Sequence, residues 1–319
     1  MAKPAIYVTR LLVAPVMAAI HERFELTLEP NASPPARDTL AQGLRRAEAI
    51  IPTLTERIDA TLLQEAPRLK VIANHAVGYN NIDLPAATAR GIVVTNTPDV
   101  LTDATADLTW ALLLAVARRI TEGYRLVQTG AWTGWEPTQL LGADVSGQTL
   151  GIVGMGRIGQ AVARRAMGFG MTVLYASRTS VPSPDSMAPW RQVTLETLLR
   201  QSDFISLHVP LTPDTHHLIG GKAFSLMRPA AILLNTSRGP VVDEAALAAA
   251  LNDGRLAGAG LDVYEEEPKI HPGLLALPQV VTLPHLGSAT LNTRVRMGVL
   301  CVENVLAVLE GRPAPNRVV

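Results

Sequence analysis

The sequence predicts an α/β protein made of two parallel-sheet domains. Three observations carry that expectation. Short β-branched runs alternate with helical patterns in two separate series along the chain. A long apolar helical stretch separates the series, and the second opens on a glycine-rich turn set between a strand and a helix. Such alternation is the mark of βα units feeding a parallel sheet. At 319 residues the chain is too long for one small core and suits two domains.

In chain order, the first series reads as strands at 5–9, 47–51, 69–73 and 92–94, with helical stretches at 15–23, 56–65 and 84–90 between them. A helical pattern then runs from about 104 to 127, with Leu108, Ala111, Leu112 and Ala115 at helical spacing. A Trp- and Gly-rich loop covers 130–147. The second series places strands at 150–153, 172–175, 204–208, 231–235, 259–262 and 280–283, and a loop at 180–189. The final helix, 291–309, stops at Gly311 and Pro313. There is no solenoid repeat and no low-complexity tract. The favoured partition is discontinuous: 1–100 with 288–319 form one domain, and 101–287 form the other, inserted into it.

Composition narrows the function. Lys plus Arg (28) equals Asp plus Glu (28), so no net field favours nucleic acid or anionic lipid. Cys301 is the only cysteine; it excludes an internal disulfide and a thiolate metal cluster, no metal site is expected, and a reducing compartment suits it. The apolar runs 110–117 and 11–20 fall short of the roughly 20 residues a membrane helix needs. The second, behind Lys3 and Arg10, imitates a secretory h-region. Pro15 interrupts it and no small-residue cleavage site follows, so a strand and then a helix is the preferred reading and the cytoplasm the expected location.

The glycine turn is Gly154-Met155-Gly156-Arg157-Ile158-Gly159. A GxGxxG alone is weak; directly after a strand and opening a helix it is a dinucleotide fingerprint. Its first glycine allows a tight turn, its second lets a pyrophosphate approach, and its third lets helix and strand pack closely. An NAD site normally carries an acid about 20 residues on, at the end of the next strand. Here Ser177, Arg178 and Thr179 occupy that place, and no acid appears before Asp185. An arginine with hydroxyl neighbours suits a 2′-phosphate, so NADPH is expected over NADH.

Three further segments follow strands and so point to the same crevice: 235–239, 262–268 and 284–288. Arg238 offers a forked guanidinium for a carboxylate and a carbonyl. His285 is the natural proton donor to a developing alkoxide, and a carboxylate beside it, assigned to Glu267, would keep it protonated and oriented. Taken singly, each is as readily a structural or solvated residue; downstream of the glycine turn they support one another. His208, His216 and His217 show no metal-ligand spacing and receive no chemistry. Trp110, inside an apolar helix, reads as core or dimer contact.

The glycine turn with Arg157-Ile158, the Asn235–Gly239 segment, Gly260–Pro268 and Pro284–Ser288 together resemble the D-isomer-specific 2-hydroxyacid dehydrogenases, and most closely their glyoxylate/hydroxypyruvate reductase branch. The resemblance covers nearly the whole chain. It implies two Rossmann-like/flavodoxin-like domains and a hydride transfer to a small 2-oxo acid. That family uses an Arg, a Glu directly before a Pro, and a His in chain order; Arg238, Glu267 and His285 match, and Pro268 selects Glu267 over Glu265 and Glu266. It implies carboxylate binding on the backbone of a loop matched by Val77 and Gly78, with Ser288 also beside the substrate. Thr105, Val209, Thr236, Asp262 and Gly287 match the cofactor lining, Asp262 toward the nicotinamide carboxamide. Trp135 resembles a tryptophan that borders the partner subunit's pocket, so a homodimer is implied.

Other readings stay open. A different 2-oxo acid such as 2-ketogluconate is a close alternative. A cofactor-sensing protein related to the transcriptional co-repressors of this fold would keep the same Arg, Glu and His; a lack of partner-recognition tails counts against it. A phosphoglycerate dehydrogenase with a regulatory domain is disfavoured because the chain ends soon after the last helix, and the formate dehydrogenases differ at the His and Glu positions.

Overall fold

Strand residues that are apolar on both faces form central parallel strands, and those of this chain do so twice. The computed structural model describes residues 3–29, 33–183 and 190–319. Two compact units are present: Met1–Leu101 with Ser288–Val319, and Thr102–Gly287.

The first unit runs β1 (Ala5–Val8), α1 (Ala14–Arg23), β2 (Glu25–Leu28), α2 (Arg37–Leu44), β3 (Ala49–Ile51), α3 (Ala60–Gln64), β4 (Val71–Ala73), α4 (Leu84–Ala89) and β5 (Val93–Thr95). All strand pairs are parallel, in the order β2-β1-β3-β4-β5, which is the flavodoxin-like order. Successive side chains point to opposite faces. Tyr7, Ile50, Ile72 and Val94 therefore build one core layer, and Ile6, Val8, Ala49, Ile51, Val71 and Ala73 build the other.

The second unit runs α5 (Thr102–Ala117), α6 (Ile120–Gln128), β6 (Thr149–Val153), α7 (Arg157–Ala166), β7 (Thr172–Ala176), β8 (Arg191–Gln192), α8 (Leu195–Gln201), β9 (Phe204–Leu207), α9 (Gly221–Leu226), β10 (Ile232–Asn235), α10 (Glu244–Asn252), β11 (Gly258–Leu261), α11 (Pro272–Leu275) and β12 (Val280–Thr282). Its sheet is also parallel throughout, in the order β12-β11-β10-β9-β6-β7-β8. The order reverses between β6 and β9, the Rossmann switch point where ligands bind beyond the strand ends. α12 (Leu291–Leu309) returns the chain to the first unit and packs Cys301, Val302 and Val305 onto its sheet. Burial pushes the Cys301 thiol up.

Several elements depart from the sequence expectation. The helix expected over 104–127 is two helices, broken at Arg119, whose backbone is left-handed at φ +51°. The Arg119 guanidinium grips Glu122 through two hydrogen bonds of 2.9 and 2.7 Å, which stabilises the break. α5 then lies in the core, where Trp110 is buried, stacks on Phe169 at 4.6 Å and donates to the Val162 carbonyl. The helix expected from residue 56 starts at Ala60, capped by Asp59; Glu56 instead lies buried in the preceding loop. Edge strands β2 and β8 were not anticipated, nor were α2 and α8 to α11. The loop expected at 180–189 is irregular at 180–183, and its remainder lies outside the described residues.

Candidate active site

The turn after β6 is shaped by its neighbours. Gly154 has φ +96°, and a Cβ there would fall 2.6 Å from the His208 carbonyl oxygen. Only glycine permits that approach of the β6 turn to the end of β9. A Cβ on Gly159 would lie 2.2 Å from the Gly154 carbonyl oxygen, so the helix packs directly on the turn. Gly156 caps α7 without any side-chain hydrogen bond, and around it there is open space for a Cβ. The first-turn amides and the helix dipole thus face a cradle that fits a pyrophosphate. At the end of β7, Ser177 is half-buried, while Arg178 and Thr179 are exposed. The Ser177 carbonyl accepts from Gln192 Nε2 at 2.9 Å, which ties the turn to β8.

Beyond β10, β11 and β12, three loops converge within the same unit. Asn235 Oδ1 accepts from the Ser237 N–H (3.0 Å) and hydroxyl (2.8 Å), and its Nδ2 donates to the Arg238 carbonyl (3.0 Å). Gly239 follows. A Cβ there would sit 1.8 Å from the Tyr264 backbone, so this glycine lets the arginine loop lie against the loop that carries Glu267. Tyr264 N–H donates to Glu267 Oε1 (3.1 Å), and Glu267 Oε2 lies 2.9 Å from His285 Nδ1. His285 itself is left-handed at φ +57°, a costly conformation for a non-glycine residue. Asp262 holds it there: its two carboxylate oxygens accept from Leu286 N–H (2.6 Å) and Gly287 N–H (2.8 Å).

The charges of the trio are coupled. Burial alone pushes the Glu267 carboxyl up, but the hydrogen bond and charge of His285, the Tyr264 N–H and the Arg238 charge outweigh it, leaving the carboxyl below its ordinary range. Burial lowers the Arg238 guanidinium, and Glu267 opposes that. Asp262 is raised by burial, against the pull of the Leu286 amide and the His285 charge. An ionised carboxylate within hydrogen-bond reach of an imidazole nitrogen keeps the ring oriented.

In the other unit, the segment after β4 has a definite polarity. The Ala76, Val77 and Gly78 carbonyls accept from Thr97 N–H, Asn96 Nδ2 and Asn74 Nδ2 at 2.9, 2.8 and 2.8 Å. Asn81 Nδ2 anchors the same segment to the Thr53 and Glu56 carbonyls. Among the described residues the Val77 and Gly78 N–H groups have no backbone carbonyl partner, and successive amides of this kind can receive an anion.

The structure brings Arg238, Glu267, His285, Asp262, Gly287, Thr105 and Thr236 together in one unit. Thr105 Oγ1 donates to the Gly287 carbonyl (3.0 Å), and Thr236 and Thr109 hydroxyls pair at 2.9 Å. Both threonines therefore brace the loops. Val209 packs beside Gly154. Trp135 is 80% exposed. Val77, Gly78 and Ser288 belong to the other unit. Sequence reasoning missed Asn74 and Asn96, and gave Asn235 and Gly239 no role beyond their place in a matching segment; an Asn ending or following a strand just before an irregular segment was the available signal. Among the described residues no group of three or more His, Cys, Asp or Glu is placed to hold a metal ion, and no helix is long and apolar enough to cross a membrane.

Comparison with known proteins agrees with this geometry. Residues 110–287 match the family model of the D-isomer specific 2-hydroxyacid dehydrogenase NAD binding domain. A glyoxylate reductase of Thermococcus litoralis is 51% identical, over 99% of this chain and 97% of its own length. The TT0316 protein of Thermus thermophilus superposes with a TM-score of 0.93 at 50% identity, covering 99% of this chain and 100% of that one. An NADPH-dependent glyoxylate/hydroxypyruvate reductase of Sinorhizobium meliloti, in complex with NADP and malonate, gives a TM-score of 0.89 at 35% identity, covering 99% and 97%.

Proposed function

Because the chain belongs to the D-isomer-specific 2-hydroxyacid dehydrogenase family, we propose that it reduces glyoxylate or hydroxypyruvate, with NADPH preferred, to glycolate or D-glycerate. The observation that carries the catalytic part is the Glu267–His285 contact beside Arg238. Since His285 Nδ1 is turned to Glu267, Nε2 is the ring atom left to face a substrate oxygen. The nicotinamide supplies the hydride when bound. His285 Nε2–H donates to the carbonyl oxygen as it becomes an alkoxide, and Glu267, accepting from Nδ1–H, orients the ring before that transfer and fixes the tautomer of the neutral imidazole after it. Arg238 polarises the carbonyl and pairs with the carboxylate through its fork. The Val77 and Gly78 amides, with Ser288, are the groups of the first unit that the family resemblance assigns to a substrate carboxylate.

The pyrophosphate rests on the 154–159 turn, and Ser177, Arg178 and Thr179 receive the 2′-phosphate. Thr105, Val209, Thr236, Asp262 and Gly287 shape the nicotinamide end, chiefly by bracing its loops. Relatives named for glyoxylate reduction support the substrate class. A panel of 2-oxo acids, run with NADPH and with NADH, tests the reading. Glyoxylate and hydroxypyruvate should give the highest kcat/KM; a clear preference for a larger sugar acid such as 2-ketogluconate would replace it.

A further inference from the structure

We propose that Glu265, braced by His217 and Glu244, is a positioning residue that aims Glu267 at His285. The inference rests on the reading of Glu267 and His285 given above. It starts from a second His–carboxylate cluster that the reaction does not use directly.

Glu265 and Glu244 clasp each other through their backbones. Glu265 Oε2 accepts from the Glu244 N–H at 3.0 Å, and Glu244 Oε1 accepts from the Glu265 N–H at 2.7 Å. Glu244 Oε2 also accepts from the His271 N–H at 3.1 Å, and its side chain is buried. The other oxygen of Glu265 bonds His217 Nε2. His217 in turn donates its N–H to the Pro240 carbonyl at 2.7 Å, and its own backbone is left-handed at φ +50°. Asp243, which caps α10 by accepting from the Ala246 N–H, lies 4.0 Å from His217 Nδ1, and His216 stacks on the His217 ring at 4.1 Å. Glu265, Asp243 and His216 are thus the titratable groups facing His217.

Two segments therefore meet at the Glu265 side chain, the loop after β9 through His217 and the first turn of α10 through Glu244, and the His217 backbone ties them to the turn that carries Arg238. Glu265 is two residues from Glu267, inside a loop already folded back by the Tyr264 to Glu267 hydrogen bond. Gly239 lets the arginine turn press on the same backbone. Bringing two carboxylates together is unfavourable unless donors compensate them. Here backbone amides and His217 do so. Releasing Glu265 would leave the loop held from one side only, and small misplacement of a catalytic group lowers turnover steeply.

The test is the pH profile of NADPH-dependent glyoxylate reduction in four variants. Glu265→Ala should lower kcat by about 10–100-fold with little change in the NADPH Kd. It should also move the acid-side limb to higher pH, because a Glu267 no longer aimed at His285 loses the hydrogen bond that holds its carboxyl down against burial. Glu265→Gln keeps an oxygen for the Glu244 N–H, and its amide can donate to His217 Nε2 once the neutral imidazole carries its proton on Nδ1, towards Asp243, so it should recover most of the turnover and the parent limb. His217→Phe should shift the limb in the same direction, and it carries the test if Glu265→Ala does not fold. Glu267→Gln should abolish the acid limb. An unmoved limb in Glu265→Ala and His217→Phe, whether or not turnover falls, would overturn the proposal. A limb that persists in Glu267→Gln would overturn the underlying reading of Glu267 as well.

Discussion

Glu267 Oε2 lies 2.9 Å from His285 Nδ1, while Glu267 Oε1 is fixed by the Tyr264 amide. The carboxylate therefore has one oxygen for the fold and one for the imidazole. Its pKa is held below the ordinary carboxyl value by His285, the Tyr264 amide and Arg238, against burial. For a group lowered in this way, the ionised form persists until pH falls through the depressed folded-state pKa. Glu267→Gln keeps the shape and removes the charge. Turnover should fall by at least about 10²-fold, with the protein still folded and binding NADPH. Steady-state kinetics beside a cofactor titration check this; unchanged turnover contradicts it.

The proposed preference for NADPH rests on the end of β7. Ser177 can donate to a phosphate oxygen, and exposed Arg178 can pair with its charge. One charge-assisted hydrogen bond contributes roughly 1.5–3 kcal/mol, which is about a ten- to hundred-fold preference for NADPH. Salt should shrink it, because the site is open to solvent. The kcat/KM pair for NADPH and NADH measures it directly. Ser177→Asp combined with Arg178→Ala should reverse the order, and a parent enzyme that prefers NADH would refute these roles.

Acid should weaken the fold through His75. Burial, and then the Arg294 charge, lower its pKa to about 4. Between about 6.5 and 4 the unfolded chain binds the proton more readily, so stability present above pH 6.5 is lost as pH falls towards 4. His75 is 5% exposed. The loss between pH 7 and 4.5 should be about 2 kcal/mol. Urea unfolding at the two pH values reads it, and His75→Gln should flatten that part of the slope. An identical slope in the variant would assign the acid sensitivity elsewhere.

The face of α6 predicts a partner. No α6 residue is buried, yet Ile120, Tyr124 and Val127 are exposed, as are Trp132 and Trp135 in the following loop. Ile120, Tyr124 and Val127 share one face of α6 by their spacing, and exposed apolar patches mark interaction sites. Sedimentation at assay concentration should return a homodimer, and Trp135→Ala should raise the KM for glyoxylate several-fold. A fully active monomer would contradict both.

The parts legible in the sequence were those fixed by local chemistry. The 154–159 turn was readable because Gly154 and Gly159 answer to backbone sterics, visible in the contacts a Cβ would make there. The central strands were readable because both their faces are apolar. The break at Arg119 was hidden because an arginine, with no glycine or proline beside it, takes the left-handed conformation through its grip on Glu122. β2, on the sheet edge and only half-buried, offered too weak a pattern. The grip of Asp262 on the His285 loop spans 25 residues, and the Glu244–Glu265 clasp spans 21. Neither leaves a trace in local spacing.

Glyoxylate turnover with NADPH, compared between the parent and His285→Ala, tests the central claim most directly. Consumption of reduced nicotinamide with stoichiometric glycolate should be brisk in the parent. It should fall by about 10²–10⁴ in the variant, while NADPH binding stays near the parent value because the 154–159 turn is untouched. Near-normal turnover in His285→Ala, or no turnover of glyoxylate or hydroxypyruvate by the parent, would contradict the account.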